Sequence, residues 1–303
     1  MAAPVPEEGQ GPPAAWESLE TDCPLCQRPY GGPAHLPVEL PCGCVAGKAC
    51  VARWMTGASS VDPGNQGIRR YCWFRCPNEE AKRVMEKVDS LEKVQLFVDG
   101  LATVSCEEAT DAFWKRAFII PKAVEVGDSI THDQGSAEVF RATLRWPTMG
   151  DTPRRVIAKK LKMMRLQSDT ERTVLDRTKR AMREVARSML ASYEDTSRVL
   201  RVYGCTWKAK SLANAFDVDS VLMVMEECES SLLDVVERYK QGMPHEELAR
   251  TAVQICEGMC NLHALGIVHC DIKPANCLIR KNGKGVVLCD FGVSKVSAAW
   301  CPE

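Results

Sequence analysis

The chain has 303 residues, a length that suits about two domains. It is 45% hydrophobic and 26% charged, with 39 basic and 40 acidic residues and a formal net charge of −1. This balance excludes a largely disordered chain, a collagen-like repeat and a small disulfide scaffold, and nothing in the global charge calls for nucleic acid. No apolar run approaches the roughly 20 residues of a membrane span. The opening MAAPVPEEGQGPP lacks the basic start and apolar core of a secretory signal, which predicts a cytoplasmic location, with the nucleus left open.

In chain order, residues 1–18 are Pro-, Gly-, Ala- and Glu-rich and read as a disordered leader. A cysteine-rich module fills 19–80. Residues 81–117 form a helical linker, in which Val84, Val88, Leu91, Val94, Phe97 and Leu101 recur at helical spacing from Glu79 onward. From about 118 to the end at 303 the pattern is that of a second domain. Strand-like runs (KAVEVGDSI, AEVFRATLRW, RRVIAKKL) precede a long charged helix from Ser168 to Ala191. Two more strands (RVLRVYG, SVLMVMEE) are followed by helices near 231–239 and 245–264. Strands first and then mostly helix predict a bilobal α+β domain, with an N-lobe to about 228 and a partial C-lobe over 229–303.

Sixteen cysteines are many for such a chain, and seven of them, Cys23, Cys26, Cys42, Cys44, Cys50, Cys72 and Cys76, fall between residues 23 and 76. In a reducing compartment clustered thiols read as metal ligands rather than as bridges, and Zn2+ takes four N or S donors from tight turns. CPLC followed by LPCGCVAGKACVARW resembles a RING domain. Leu25, Trp54 and Pro77 add to the resemblance, because residues near these positions form the groove that accepts a ubiquitin-conjugating enzyme. The resemblance implies two zinc sites, with a third ligand pair at 47 and 50. Position 47 is Gly, however, so that zinc keeps Cys23, Cys26 and Cys50, with His35 or a water as the fourth ligand. The last pair is either Cys72 and Cys76 or Cys76 and Glu79.

His269-Cys-Asp271-Ile-Lys273-Pro-Ala-Asn276, followed after a hairpin-length run by Asp290-Phe291-Gly292, is the most specific pattern in the chain. Moving a phosphoryl group to a hydroxyl needs a proton acceptor, cations on the phosphates and ligands for Mg2+. Both motifs in this order resemble the eukaryotic protein kinases, over about residues 120–303. The resemblance implies ATP and Mg2+ as cofactors, Asp271 as base, Lys273 on the transferred phosphate, and Asn276 and Asp290 as Mg2+ ligands. Ile157-Ala158-Lys159-Lys160 stands where the family's V-A-I-K strand belongs. Counting two residues from Ala158 gives Lys160 as the phosphate-binding lysine, with Glu184 as its helix partner. Gly135 and Val139 would cover the nucleotide, while Met225, Glu226 and Cys228 would form the gatekeeper and hinge.

The chain also departs from the family. Gly135 is the only glycine between Ile130 and Val139, and Cys270 replaces the Arg that elsewhere pairs with a phosphorylated activation loop. Cys301-Pro302-Glu303 resembles the end of the activation segment, leaving the C-lobe incomplete. The expected fold is therefore a bilobal kinase-like α+β domain with an incomplete C-lobe behind a small RING-like zinc domain. The expected function is Ser/Thr-directed protein kinase activity on protein substrates. The alternatives are a pseudokinase-like scaffold, or a RING-type ubiquitin ligase that binds partners through the kinase fold and recruits a conjugating enzyme.

Overall fold

The computed structural model describes residues 22–26, 28–32, 35–57, 68, 78–106, 108–109, 112, 117, 119, 123–130, 138–145, 153–161, 171–192, 198–209, 218–239, 242–283 and 285–296. The leader, Cys72, Cys76, Pro77 and Gly135 lie outside the described residues.

The N-terminal part is built around β1 (Pro37–Glu39), β2 (Val45–Gly47) and α1 (Lys48–Met55), with β2 antiparallel to β1. The stretch expected to be one linker helix is two, α2 (Glu79–Glu86) and α3 (Leu91–Asp99). The break falls at Ser90, whose extended backbone lets its hydroxyl accept from the Lys93 N–H, an N-cap that starts a new helix. The buried stripe shifts accordingly: Ala81, Met85, Val88, Val94 and Val98 face inward, while Leu91 and Leu96 are exposed. These helices belong to the cysteine-rich module. Lys48 on α1 pairs with Asp99 at 2.8 Å, and β3 (Ala102–Thr103) adds to β1 as a third strand.

The second part opens with a five-stranded antiparallel sheet of β4 (Val124–Ser129), β5 (Val139–Leu144), β6 (Arg154–Leu161), β7 (Val202–Ala209) and β8 (Val218–Glu226), in the order β4-β5-β6-β8-β7. Alternation along β6 sorts its side chains to two faces. Val156 and Ala158 are buried with Ile119, Val124, Ala142, Leu222 and Val224 on one face. Ile157 and Leu161 pack on the other with Met223, Met225 and Val185. Val185 belongs to α4 (Glu171–Ala191), the long helix that covers this second face. Gly204 in β7 is required by a close approach: a Cβ there would lie 2.4 Å from the Ala117 carbonyl oxygen. The next peptide carbonyl, of Cys205, accepts from the Ile119 N–H at 2.7 Å, so the incoming chain is pinned to the sheet edge.

After β8 the chain enters a mainly helical lobe. β9 (Ser230–Ser231) leads into α5 (Leu232–Arg238), closed by a capping box between Ser231 and Asp234. Next comes α6 (His245–Ala264). On it Leu262 is buried, whereas Leu248 and Val253 are exposed. Short strands β10 (Ile267–Val268), β11 (Cys277–Ile279), β12 (Val286–Leu288) and β13 (Lys295–Val296) carry the remaining motifs. β11 pairs with β9 and β12, and β10 with β13. No helix among the described residues is long and apolar enough to cross a membrane.

Candidate active site and candidate metal centre

The β11–β12 hairpin brings the Asp271–Asn276 and Asp290–Gly292 motifs together. Asn276 precedes β11 and Asp290 follows β12, and the Cys289 N–H donates to the Asn276 carbonyl at 3.0 Å. His269, buried, holds the assembly from below. Its Nε2 lies 2.9 Å from the Cys289 carbonyl oxygen, which can only accept, and its ring packs on Phe291 at 5.1 Å. Asp271 Oδ2 accepts from Lys273 Nζ at 2.7 Å and from Asn276 Nδ2 at 2.9 Å. The lysine contact is the main reason the Asp271 carboxyl is held below its usual range. Cys270 and Asp290 both have positive φ, of 65° and 68°, a costly backbone state for residues with a side chain. It occurs here at the two residues beside or within the charged cluster.

On β6 the lysine assignment changes. Lys159, not Lys160, faces the cluster: its Nζ lies 2.8 Å from Glu184 Oε1 on α4 and 2.8 Å from Asp290 Oδ1. Lys160 points to the opposite face and pairs with Glu138 at 2.8 Å. The reason is strand period. Ala158 and Lys160 share the face buried against Ala142 and Val224, so Ala158 also leaves the site, and Ile157 takes the position two residues before the facing lysine. Val139 is the register partner of Lys159, and Met225 that of Ile157, so both share the site face. Burial lowers the Lys159 ammonium, but the charges of Glu184 and Asp290 outweigh it and raise it above its ordinary value. Burial likewise raises Asp290, and Lys159 overcomes that and holds it low.

Met225 is buried. The Glu226 side chain accepts from Arg280 Nε at 2.9 Å and from the Arg201 N–H at 3.2 Å, so it ties the end of β8 to the segment after β11. Cys228 is half-buried, its thiol pushed up to about 12, chiefly by burial. Sequence reasoning missed Arg187, one turn beyond Glu184. Its Nη1 donates to the carbonyls of Phe291 (3.2 Å) and Ser294 (2.5 Å) and to the Ser294 hydroxyl (3.0 Å). Ser294 is buried, and its hydroxyl donates to the Phe291 carbonyl at 2.8 Å. The segment after Asp290 is thus fixed by an arginine on α4.

In the N-terminal module Cys23, Cys26, His35 and Cys50 place their donor atoms within 4.8 Å of one another. Three thiols and an imidazole form a donor set for tetrahedral zinc. His35 is oriented for this role: Nδ1 lies 2.7 Å from the Pro29 carbonyl oxygen and must donate to it, so the Nε2 lone pair faces Cys26 Sγ at 3.0 Å. Gly47 explains the altered ligand set, because a Cβ there would lie 2.3 Å from His35 Cδ2. The imidazole fills the space that a side chain at 47 would use. The Gly47 N–H donates to Cys23 Sγ at 3.3 Å. Burial raises the Cys23 thiol, but hydrogen bonds from Cys26, Cys50 and Gly47 outweigh it and hold the thiol well below its ordinary value.

Cys42 and Cys44 are buried and lie outside this donor group, and Cys72 and Cys76, their expected companions, lie outside the described residues. Leu25 is 0% and Trp54 4% exposed, so both pack into the core of the module.

Comparison with known proteins agrees with this geometry. A family profile described as "Protein kinase domain" matches residues 147–299. Cyclin-dependent kinase-like 2 of Pongo abelii is 32% identical over 149 residues, which cover 49% of this chain and 26% of that protein. Serine/threonine-protein kinase Tao of Drosophila melanogaster is 38% identical over 80 residues, covering 26% of this chain and 7% of Tao. Mitogen-activated protein kinase kinase 9 of Arabidopsis thaliana is 43% identical over 79 residues, covering 26% of this chain and 24% of that protein. The chain therefore spans about a quarter or less of the length of these relatives. The profile match extends over half of the chain and contains Lys159, Glu184, Asp271, Asn276 and Asp290, and on that ground the chain belongs to the protein kinase family.

Proposed function

We propose that this chain is an ATP- and Mg2+-dependent protein kinase acting on serine and threonine hydroxyls, joined to a RING-like zinc module. The observation that carries the reading is Lys159 held at 2.8 Å between Glu184 and Asp290, opposite an Asp271 bonded to Lys273 and Asn276. A carboxylate and an amide oxygen are hard donors that suit Mg2+, and the cleft between the sheet and the helical lobe supplies them from two loops. The Mg2+-bound nucleotide supplies the phosphoryl group and the cationic charge that offsets its oxygens.

The residues have separate roles. Lys159 binds the phosphates, and Glu184 orients Lys159. Asp290 and the Oδ1 of Asn276 hold the metal, since Asn276 Nδ2 is committed to Asp271. Asp271 accepts the hydroxyl proton, and Lys273 balances its charge and the incoming phosphoryl group. Val139, Ile157 and Met225 line the adenine side, with the Glu226 and Cys228 backbones as its edge. Gly135 would cover the phosphates. Cys23, Cys26, His35 and Cys50 would hold one Zn2+ that contributes directly to folding the module. Clustered thiols stay available as ligands in a reducing compartment, which supports a cytoplasmic location.

Preference for serine and threonine is supported by the Asp271-Ile-Lys273-Pro-Ala-Asn276 form and by the similarity to the serine/threonine-protein kinase Tao. The test is labelled ATP with Mg2+ and a generic acceptor protein, followed by phosphoamino-acid analysis. Label on phosphoserine and phosphothreonine is expected. Label on phosphotyrosine alone would overturn the substrate class.

A further inference from the structure

The metal module and the phosphate-binding lysine are linked by a short run of contacts. Asp22 directly precedes the metal donor Cys23, and its Oδ2 lies 2.6 Å from Arg183 Nε on α4. Arg183 directly precedes Glu184, the partner of Lys159. The Asp22 side chain is only 9% exposed, so this contact with Arg183 is largely shielded from water. The module core continues into Leu190 and Ala191, two turns further along α4, in one buried cluster. On the next turn Arg187 grips the Phe291–Ser294 segment. Helix α4 is therefore held from the module side at Arg183 and from the catalytic side at Arg187, with Glu184 between them.

We propose that Asp22 is a positioning residue for phosphoryl transfer: through Arg183 it fixes the turn of α4 that carries Glu184, so metal loading of the module and the Lys159–Glu184 contact are coupled. This inference rests on the kinase reading of the site. Coupling of this kind is reciprocal for binding, so nucleotide bound with Lys159 in place should tighten the module's hold on its metal.

The experiment uses the full, zinc-loaded chain, with Asp22→Asn and the charge exchange Asp22→Arg/Arg183→Asp. Two quantities are read: steady-state transfer, and zinc release to a chromophoric chelator with and without Mg·ADP. Asp22→Asn is expected to keep its zinc but to lose roughly 3- to 30-fold in kcat, the usual range for residues that couple sites indirectly. The exchange should restore most of that loss. Mg·ADP should slow zinc release from the wild type and have no such effect on Asp22→Asn. If Asp22→Asn fails to fold, Arg183→Gln, which breaks the same contact from the helix, is read in the same two ways.

Unchanged kcat in a zinc-loaded Asp22→Asn protein would overturn the proposal, as would zinc release that ignores Mg·ADP in the wild type. A wild type that binds Mg·ADP and retains zinc in its presence, yet transfers no phosphate, would instead count against the kinase reading and leave the coupling standing.

Discussion

Two adjacent lysines offer the sharpest test of the site, because alternation sends them to opposite faces of one strand. Lys159 Nζ sits 2.8 Å from both Glu184 and Asp290, and its side chain is 16% exposed. At an effective dielectric of about 20, each contact is worth about 6 kcal/mol of Coulomb attraction before desolvation is subtracted. Replacing it by methionine keeps the length of the stem, removes the phosphate-binding cation and leaves two carboxylates facing each other. Lys159→Met should therefore lower kcat/KM at least a hundredfold, about 2.7 kcal/mol of transition-state stabilisation. Its fold should survive at a cost of about 1–3 kcal/mol, because Asp290 is partly open to water. Lys160 pairs with a Glu138 that is half exposed, a contact worth roughly 0–1 kcal/mol. Lys160→Met should leave transfer within about threefold of the wild type. The assay is initial-rate transfer from labelled ATP at several nucleotide concentrations, with the melting temperature of each variant measured beside it. An inactive Lys160→Met with an active Lys159→Met would refute the facing argument.

Other expectations follow from single contacts. Gly47→Ala would drive a Cβ into the His35 ring, so zinc affinity measured by chelator competition should fall about 10- to 100-fold, with Cys23, Cys26 and Cys50 intact. Asp271 is held below its usual range mainly by Lys273, so its base form persists as pH falls through the ordinary carboxylate range, and Lys273→Gln should move the acid limb of the kcat/KM profile to higher pH. Asp290 is also depressed, so the stability it contributes is present in full above its unfolded value near 3.9 and is lost as pH drops below that, which acid unfolding of Asp290→Asn against the wild type would show. Arg187→Ala removes the donor to Phe291 and Ser294, so kcat should fall about tenfold with little change in the KM for ATP.

Much of the fold was legible because period and spacing carry it. The runs around Val124, Val139, Arg154, Val202 and Val218 became strands, and the charged stretch before Ala191 became the helix that carries Glu184. Asp271, Asn276 and Asp290 converge as their spacing implied, because a three-residue strand on each side of a hairpin leaves little freedom. The choice between Lys159 and Lys160 was not legible, because Ile157-Ala158-Lys159-Lys160 fits the family pattern in two registers. Only burial of Ala158 on the far face decides between them. The linker was misread as one helix because apolar spacing alone does not reveal a break, and Ser90 is the residue that makes it. Leu25 and Trp54 stood out by position, but their burial in the module core is invisible in one dimension. Arg187 acts across more than 100 residues of sequence, and no local pattern marks it.

The most direct measurement is transfer of labelled phosphate from ATP, with Mg2+, by the zinc-loaded chain beside its Asp271→Ala variant. Among the described residues the Asp271 carboxylate accepts from Lys273 and Asn276, and its substitution leaves the Lys159–Glu184 contact in place. The account predicts transfer to serine and threonine by the wild type, and a drop of at least a hundredfold in the variant, the usual scale for losing a positioned general base. Equal transfer by both proteins, or none from a folded wild type that binds the nucleotide, would contradict it.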